Sequence, residues 1–439
     1  MMRTASLALS HLDAWLEAMR GPAGYGGPVV HWWGQCWRFT GAAADWRYEG
    51  IILGYLRLWE RTAAEVWLAR ACRAANEVVE QALPSGGYRY SSFELNPSPF
   101  GTPHEAACDV ALLRLALALR AAGRHAEAAE RYAATAARNL QQVYANTLWD
   151  GETGGFRDVP SVPGFVPNKQ ATVAEASFAL DEWQGTRTWT ERYALPALRL
   201  IVRAQELTAG PNFGAIDQIL TRSARGWSAS GRYFPLYVAR CLPALVDGAF
   251  RFQDPQMALA ARHAAQFIVR RISPTGECPL IVYANGAIRR RPAWIAALGD
   301  LLRCLTVAQK VGGPPPPSAL LDRLLAGQDA NGGIRTAHGF AAILDGRSDP
   351  HLPEVRDVLH VAGWADKAFR YLADTVDPPP EPQPPFAEEL DIACTFRGRR
   401  LRLLELPAEL RLEYAGRTVY RWRKGQNWVT LDAIWLDVR

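Results

Sequence analysis

Six glycine-centred turns recur along the chain at a nearly constant spacing, and this period limits the fold more than any other feature. They are Gly24-Tyr25-Gly26-Gly27, Gly86-Gly87-Tyr88-Arg89, Gly154-Gly155-Phe156-Arg157, Pro211-Asn212-Phe213-Gly214, Thr275-Gly276-Glu277 and Asn331-Gly332-Gly333-Ile334-Arg335. Counted on Gly26, Gly87, Gly155, Gly214, Gly276 and Gly333, the intervals are 61, 68, 59, 62 and 57 residues. Such an interval holds two helices and their loops, and the segments between turns read that way. Residues 104–122 are apolar on nearly all sides, as a helix buried all round must be. Gly123 interrupts them, and 127–144 follow as an amphipathic helix with charged and amide groups on one face. The same order returns in 49–59 with 64–83, 174–183 with 190–207, 234–250 with 255–272 and 294–311 with 318–325. A last helix is expected over 351–372.

A hairpin of one buried and one amphipathic helix cannot cover its own apolar face, so such units must stack. Six of them predict a mainly α fold: an (α/α)6 toroid over 1–376, with six helical hairpins in two concentric rings. An open solenoid is the other way to stack them. The Pro-rich stretch at 377–386 reads as a stiff linker. Beyond it, 387–439 is expected to form a small C-terminal antiparallel β appendix, because 401–406, 410–414, 418–422 and 428–435 alternate apolar and polar residues. From Leu390 onward the appendix holds ten Arg and Lys against six Asp and Glu.

Composition removes several classes of function. Hydrophobic residues make up 49% of the 439, enough for a large core and too many for disorder over most of the chain. A net charge of +5 is small for this length and gives no reason to expect a nucleic-acid partner. The 49 basic residues are 45 Arg and 4 Lys, a coding bias that lowers the functional weight of an average Arg. No run approaches the ~20 apolar residues of a membrane span. The first fifteen residues do not read as a secretory leader, so the expected location is cytoplasmic. Seven Cys with no CxxC suit neither a disulfide framework nor a zinc ribbon. Eight His show no HExxH and no close pair, and neither a P-loop nor GxGxxG is present, so no metal and no cofactor are expected. The sequence carries no signal for an oligomeric state.

Each glycine turn leads through a loop into an inner helix. The six loops (24–50, 86–109, 154–175, 213–235, 276–294 and 332–350) therefore share one end of the toroid and rim a funnel, where function concentrates. The first loop is the richest, with His31-Trp32-Trp33 and Trp37, then Asp45-Trp46-Arg47-Tyr48-Glu49. Rings beside polar groups suit a sugar, whose faces are apolar and whose edges need hydrogen bonds; the plainer role for these Trp residues is to plug the barrel. The second loop offers Tyr88-Arg89-Tyr90 and His104-Glu105, with Asp109 one helical turn further on the same face. A helix-start Glu also interacts favourably with the helix dipole whatever else it does. The third loop offers Arg157-Asp158 and Asn168-Lys169, with Glu175 inside the next helix; Lys169 is the first Lys of the chain. Arg89, Arg157 and Arg335 each follow a glycine turn. Either they ring the funnel and favour an anionic ligand, or each pairs with a neighbouring acid as part of the turn.

With this period and these loops, the chain resembles the six-hairpin (α/α)6 toroid group over residues 1–375. That group includes glycoside hydrolases, unsaturated glucuronyl hydrolases, polysaccharide lyases and N-acylglucosamine 2-epimerase-like proteins. Locally, Asn168-Lys169-Gln170-Ala171-Thr172-Val173-Ala174-Glu175-Ala176 with Leu180 looks like the approach to an inner helix in the epimerase-like branch, although the paired His of a sugar epimerase is absent. The resemblance implies a carbohydrate-active enzyme, most directly a glycoside hydrolase that takes a small-molecule or oligosaccharide substrate between two carboxylates. The expected pair is Asp158 and Glu105, with Asp45 or Glu49 as substitutes. His31, Trp32, Trp33, Tyr88, Tyr90 and His104 are expected to contact the sugar, and Arg89, Arg157, Lys169 and Arg335 a negative group on it. Two other readings compete. Gln328-Asp329-Ala330-Asn331-Gly332-Gly333 resembles the Q-x-x-x-G turn of terpene-cyclase-like or prenyl-binding toroids, although neither DxDD nor DDxxD occurs. A non-catalytic scaffold would present the groove and the basic appendix to a partner.

Overall fold

Six helices, each buried over most of its length, form a closed inner ring. They are α2 (Arg47–Thr62), α4 (Ala106–Ala121), α6 (Pro167–Gln184), α8 (Pro235–Phe252), α10 (Leu298–Ala308) and α13 (Ala362–Thr375). Each packs on the next, and α13 packs on α2, so the stack closes as a toroid rather than running on as a solenoid. Outside them lie α3 (Glu65–Glu80), α5 (Ala126–Asn139), α7 (Leu195–Arg203), α9 (Pro255–Val269) and α11 (Ser318–Ala326), each against the inner helix that precedes it. The sixth outer helix comes from the other end of the chain: α1 (Ala5–Ala18) packs on α13. The last hairpin is thus closed by two helices that no loop connects. The computed structural model describes residues 5–30, 37–40, 46–89, 105–161, 164–340, 351–384, 388–396 and 398–428.

Local chemistry explains the inner helices. Proline occupies the first position of α6 and α8, where its fixed φ suits a helix start and its missing N–H costs nothing. In α4 every residue from Ala106 to Leu113 is buried, as an all-round apolar segment requires. The outer α5 buries only one stripe, which includes Ala129, Tyr132, Ala133 and Ala136.

The structure also gives a physical reason for the glycine period. Gly276 has φ +75°, and a Cβ there would fall inside the carbonyl of Ala319 in α11. Gly332 has φ +89°, and its Cβ would fall inside the carbonyl of His11 in α1. Each turn therefore seats against the outer helix of the next unit, in a left-handed conformation that an L side chain resists. A glutamine secures the same joint. The Gln205 side-chain amide donates to Gly214 O of its own turn and to Ala260 O of α9, at 3.1 and 2.9 Å. Gln328 donates to Gly332 O and to Ala8 O of α1, at 3.0 and 2.9 Å. The Q-x-x-x-G segment at 328–332 is thus a stitch between neighbouring units, and nothing in it requires a prenyl ligand.

Two elements differ from expectation. The single helix over 351–372 is divided into α12 (Val355–Val358) and α13. Leu359 and His360 between them run extended because they pair with the sixth turn: Thr336 N donates to Leu359 O at 3.2 Å and Arg335 bridges His360. The C-terminal sheet has four antiparallel strands in chain order, Leu390–Phe396, Arg399–Glu405, Glu409–Tyr414 and Arg417–Arg423. Its first strand has no counterpart among the segments read from alternation. The strand expected at 428–435 lies outside the described residues apart from Trp428, which stacks on Trp422 at 3.6 Å. One face of the sheet, with Leu401, Leu403, Leu410 and Leu412, joins the core of the toroid. On the other, Arg402 pairs with Asp391 and Glu413, and Arg411 and Arg421 pair with Glu409. These three arginines are balanced by three carboxylates, so the pairs leave the net positive charge of the appendix unchanged. Among the described residues no helix is long and apolar enough to cross a membrane.

Candidate active site

The inner helices start at the same end, and three tryptophans meet there. Trp46 immediately precedes α2, Trp364 is the third residue of α13, and Trp294 lies four residues before α10. Trp46 and Trp364 have ring centroids 4.7 Å apart, and Trp364 stacks on Trp294 at 4.9 Å. Ala107 in the first turn of α4 packs against Trp46. Trp46 and Trp294 are buried and Trp364 is half-buried, so this layer is not fully covered.

Below it lies a cluster of charges on the axis. Arg240 of α8 donates to Glu49 of α2 at 2.7 Å. These helices stand opposite each other in a ring of six, so the contact can only cross the axis. Arg370 also bonds Glu49, at 2.8 Å, and Lys367 reaches it at 3.5 Å. Arg240 reaches Glu175 of α6 at 3.3 Å. Arg303 pairs with Asp300 at 2.8 Å, and Lys367 with Asp366 at 2.9 Å. Four carboxylates meet four cations here, which is what so many buried charges require. Lys367 joins the two layers: it donates to Trp46 O at 2.9 Å and its ammonium lies 5.0 Å from the centre of a Trp46 ring.

The cluster holds its carboxyls in different protonation states. Burial alone would raise Glu49, but Arg240, Arg370 and Lys367 overcome it and keep the carboxyl well below the usual range. Glu175 is raised, because burial outweighs its more distant cation. Asp366 is pushed up to about 8 by burial, against the pull of Lys367. Nearby, Asp109 accepts a 2.7 Å bond from the Tyr88 hydroxyl. Burial, with the added charge of Glu105, holds Asp109 well above its ordinary value despite that bond. Carboxyls driven in opposite directions at one place are the arrangement that acid–base chemistry needs.

The structure places the sequence candidates as follows. Glu105 immediately precedes α4 and is buried; Asp158 follows the third turn and pairs with Lys169 in the first turn of α6 at 2.7 Å. Helices α4 and α6 are neighbours, so both acids stand at the same end of adjacent inner helices. Glu49 is 2% exposed, with both oxygens engaged by cations. Tyr88 is buried and holds Asp109. Arg157 is bonded to Asp150 through two nitrogens, at 2.9 and 2.5 Å, and Arg335 makes the same fork on Asp329. These two arginines thus have the turn-internal partners that compete with a role in holding a ligand. Arg89 is exposed. Asp45, His31, Trp32, Trp33, Tyr90 and His104 lie outside the described residues. Among the described residues no group of three metal-ligating side chains occurs.

Sequence reasoning missed Trp294, Trp364 and the set Arg240, Arg303, Lys367 and Asp366. One signal could have found the tryptophans: like Trp46, each lies close to the start of an inner helix. A cavity of about 350 Å³ at the other end of α6, lined by Asp181, Glu182, Thr186 and Arg251, is remote from all of this.

No protein-family model matches the chain, and no curated protein matches it in sequence. Solved structures do match. The unsaturated glucuronyl hydrolase of Bacillus sp. GL1 is 14% identical, with a TM-score of 0.56 over 83% of this chain and 94% of that one. The cellobiose 2-epimerase of Bacillus thermoamylovorans B4167 is 13% identical, with a TM-score of 0.58 over 83% and 98%. The alpha-1,6-mannanase of Salegentibacter sp. HEL1_6 is 11% identical, with a TM-score of 0.53 over 84% and 98%. At these identities the likeness speaks for the fold, and the closed ring of six inner and six outer helices with its C-terminal sheet is an (α/α)6 toroid.

Proposed function

We propose that this chain is a carbohydrate-active enzyme, most directly a glycoside hydrolase, that works at the funnel end of the toroid. The observation that carries the reading is the tryptophan layer of Trp46, Trp294 and Trp364 set directly over a floor of buried, oppositely charged side chains. A pyranose needs this combination, an apolar surface for its ring face and fixed polar groups for its hydroxyls. Similarity in fold to glycosidases and a sugar epimerase supports the substrate class. Glu105 serves as the acid that protonates the leaving oxygen, and Asp158, paired with Lys169, as the base or nucleophile. Asp109, one helical turn beyond Glu105 and bonded to Tyr88, is held well above its ordinary value by burial and by the charge of Glu105, which favours its neutral form beside that acid. The charge cluster fixes the inner helix starts relative to each other.

The test is a panel of oligosaccharides with neutral and uronic-acid members, read for new reducing ends and for sugar isomers. The wild type is expected to release reducing ends from at least one member. Glu105→Gln and Asp158→Asn are each expected to lose about 10²–10⁴ of that rate. Full activity in both variants removes the assigned pair. Isomers without new reducing ends would move the chemistry to epimerisation in the same funnel.

A further inference from the structure

The C-terminal sheet joins the toroid at the hairpin of α13 and α1, the one that no loop closes. Helix α13 starts at the funnel end and finishes at the far end, ~21 Å away at 1.5 Å per residue over its 14 residues. The Pro-rich segment that follows would cover ~25 Å in about eight extended residues at ~3.1 Å each, enough to carry the chain back to the funnel end. The sheet makes contacts at that end. Thr395 N donates to Pro353 O at 2.9 Å, and Glu354 bridges Thr395. Trp428 donates to Met19 O at 2.9 Å, and Asn427 accepts from Ala23 N at 2.9 Å. His360 lies between Asp329 of the sixth turn, at 2.9 Å, and Glu405 of the sheet, at 3.3 Å. The sheet and the residues just after its last strand thus grip the entry to the first loop, after α1, and the segment between the sixth loop and α13.

A continuous stack of planar groups leads from the sheet to the tryptophan layer. Phe396, on the first strand, lies 5.6 Å from the guanidinium of Arg356, which also lies over the Phe340 ring at 4.5 Å. Phe340 meets Trp294 edge to face at 5.9 Å, and Trp294 stacks on Trp364. Arg356 is 2% exposed and is held by Glu354, itself fully buried, at 2.9 Å. Asp357 fixes the same loop by accepting from Gly339 N and Phe340 N, both at 3.0 Å.

From this geometry we infer that the C-terminal sheet is a working wall of the funnel: it clamps the entry to the first loop and the segment before α13 across the open hairpin, and Arg356, acting through Phe340, positions the tryptophan face that receives the substrate. The substrate part of this statement rests on the function proposed above; the clamping part does not. Arg356 is a positioning residue, since Phe340 and Trp294 stand between it and the site.

The test uses the full chain and three variants. Glu354→Gln with Arg356→Met removes both charges of the buried pair, so neither is left uncompensated. Arg356→Lys keeps the cation, and Phe396→Leu acts from the sheet alone. Hydrogen exchange is followed in the segments 293–296 and 337–340, with α6 as the internal reference. The double variant and Phe396→Leu are expected to raise exchange in both segments by roughly tenfold while α6 is unchanged, and Arg356→Lys to restore most of the protection. For a glycan turned over by the wild type, KM is expected to rise roughly tenfold with kcat little changed, the mark of lost uniform binding. Unaltered exchange in 293–296 and 337–340, or an equal rise in α6, overturns the inference. So does a KM that stays constant while exchange rises. If no glycan is turned over, exchange alone decides for or against the clamp. If the double variant does not fold, Phe396→Leu decides.

Discussion

Replacing Gly276 by alanine separates the two reasons for the glycine period. One is backbone conformation: at φ +75° an L side chain costs ~1–2 kcal/mol. The other is space, because the new Cβ would overlap the main-chain carbonyl of Ala319 in the next outer helix. Backbone cannot swing away as a flexible side chain can, and forced overpacking typically costs ~1–3 kcal/mol. Gly286 supplies the control, with φ +85° and no atom within 4 Å of the place a Cβ would take. Gly286→Ala is expected to lose about 1 kcal/mol and Gly276→Ala about 3 kcal/mol, the sum of both terms. The assay is urea unfolding followed by far-UV circular dichroism, comparing midpoints at equal slope. Equal midpoints for the two variants would refute the interlock and leave only the backbone term. Gly332→Ala repeats the experiment against His11 in α1, and so tests whether the N-terminal helix closes the ring.

Two further outcomes follow from buried charge. His360 is raised to about 9 because its bonds to Asp329 and Glu405 outweigh the effect of burial. Its stabilising contribution is complete below the unfolded value near 6.5 and is lost as pH rises to about 9, since the unfolded chain gives up the proton first. The loss amounts to ~3 kcal/mol, and His360→Gln should abolish this alkaline slope in a plot of Tm against pH; an identical slope in the variant contradicts the assignment. Glu49→Gln leaves Arg240, Arg370 and Lys367 around a neutral group, with an expected loss of ~3–5 kcal/mol in urea unfolding. A loss below ~1 kcal/mol would mean that the axial cluster contributes little to holding the ring.

The fold was legible because its main signal is repetitive. Glycine at the turns is forced by contact with the next unit, so it returns once per hairpin, and α4 betrays itself as an inner helix by lacking a polar face. What escaped were the particular contacts that closure creates. Helix α1 looks like any amphipathic segment until it meets α13, the last helix of the toroid. The break at His360 is invisible in periodicity, because it depends on pairing with the sixth turn and on Asp329 and Glu405. In the site, Trp46 could be picked out in the first loop and stands in the tryptophan layer, whereas Glu105 and Asp158 could be picked out by type and place alone. The axial cluster could not, since Arg240 and Lys367 look like ordinary residues of an Arg-rich chain until Glu49 is found across the ring. The turn arginines show the converse: conspicuous in sequence, Arg157 and Arg335 are tied to Asp150 and Asp329 at the opposite side of their own turns.

The central claim, that the funnel receives a sugar on its tryptophan layer, is tested most directly by tryptophan fluorescence during titration with the oligosaccharide panel. Trp364 is the half-buried member of the layer. A saturable spectral change is expected with at least one glycan in the wild type, with loss of that binding in Trp364→Ala while far-UV circular dichroism stays the same. No change with any glycan, or a change that survives unaltered in Trp364→Ala, would contradict it.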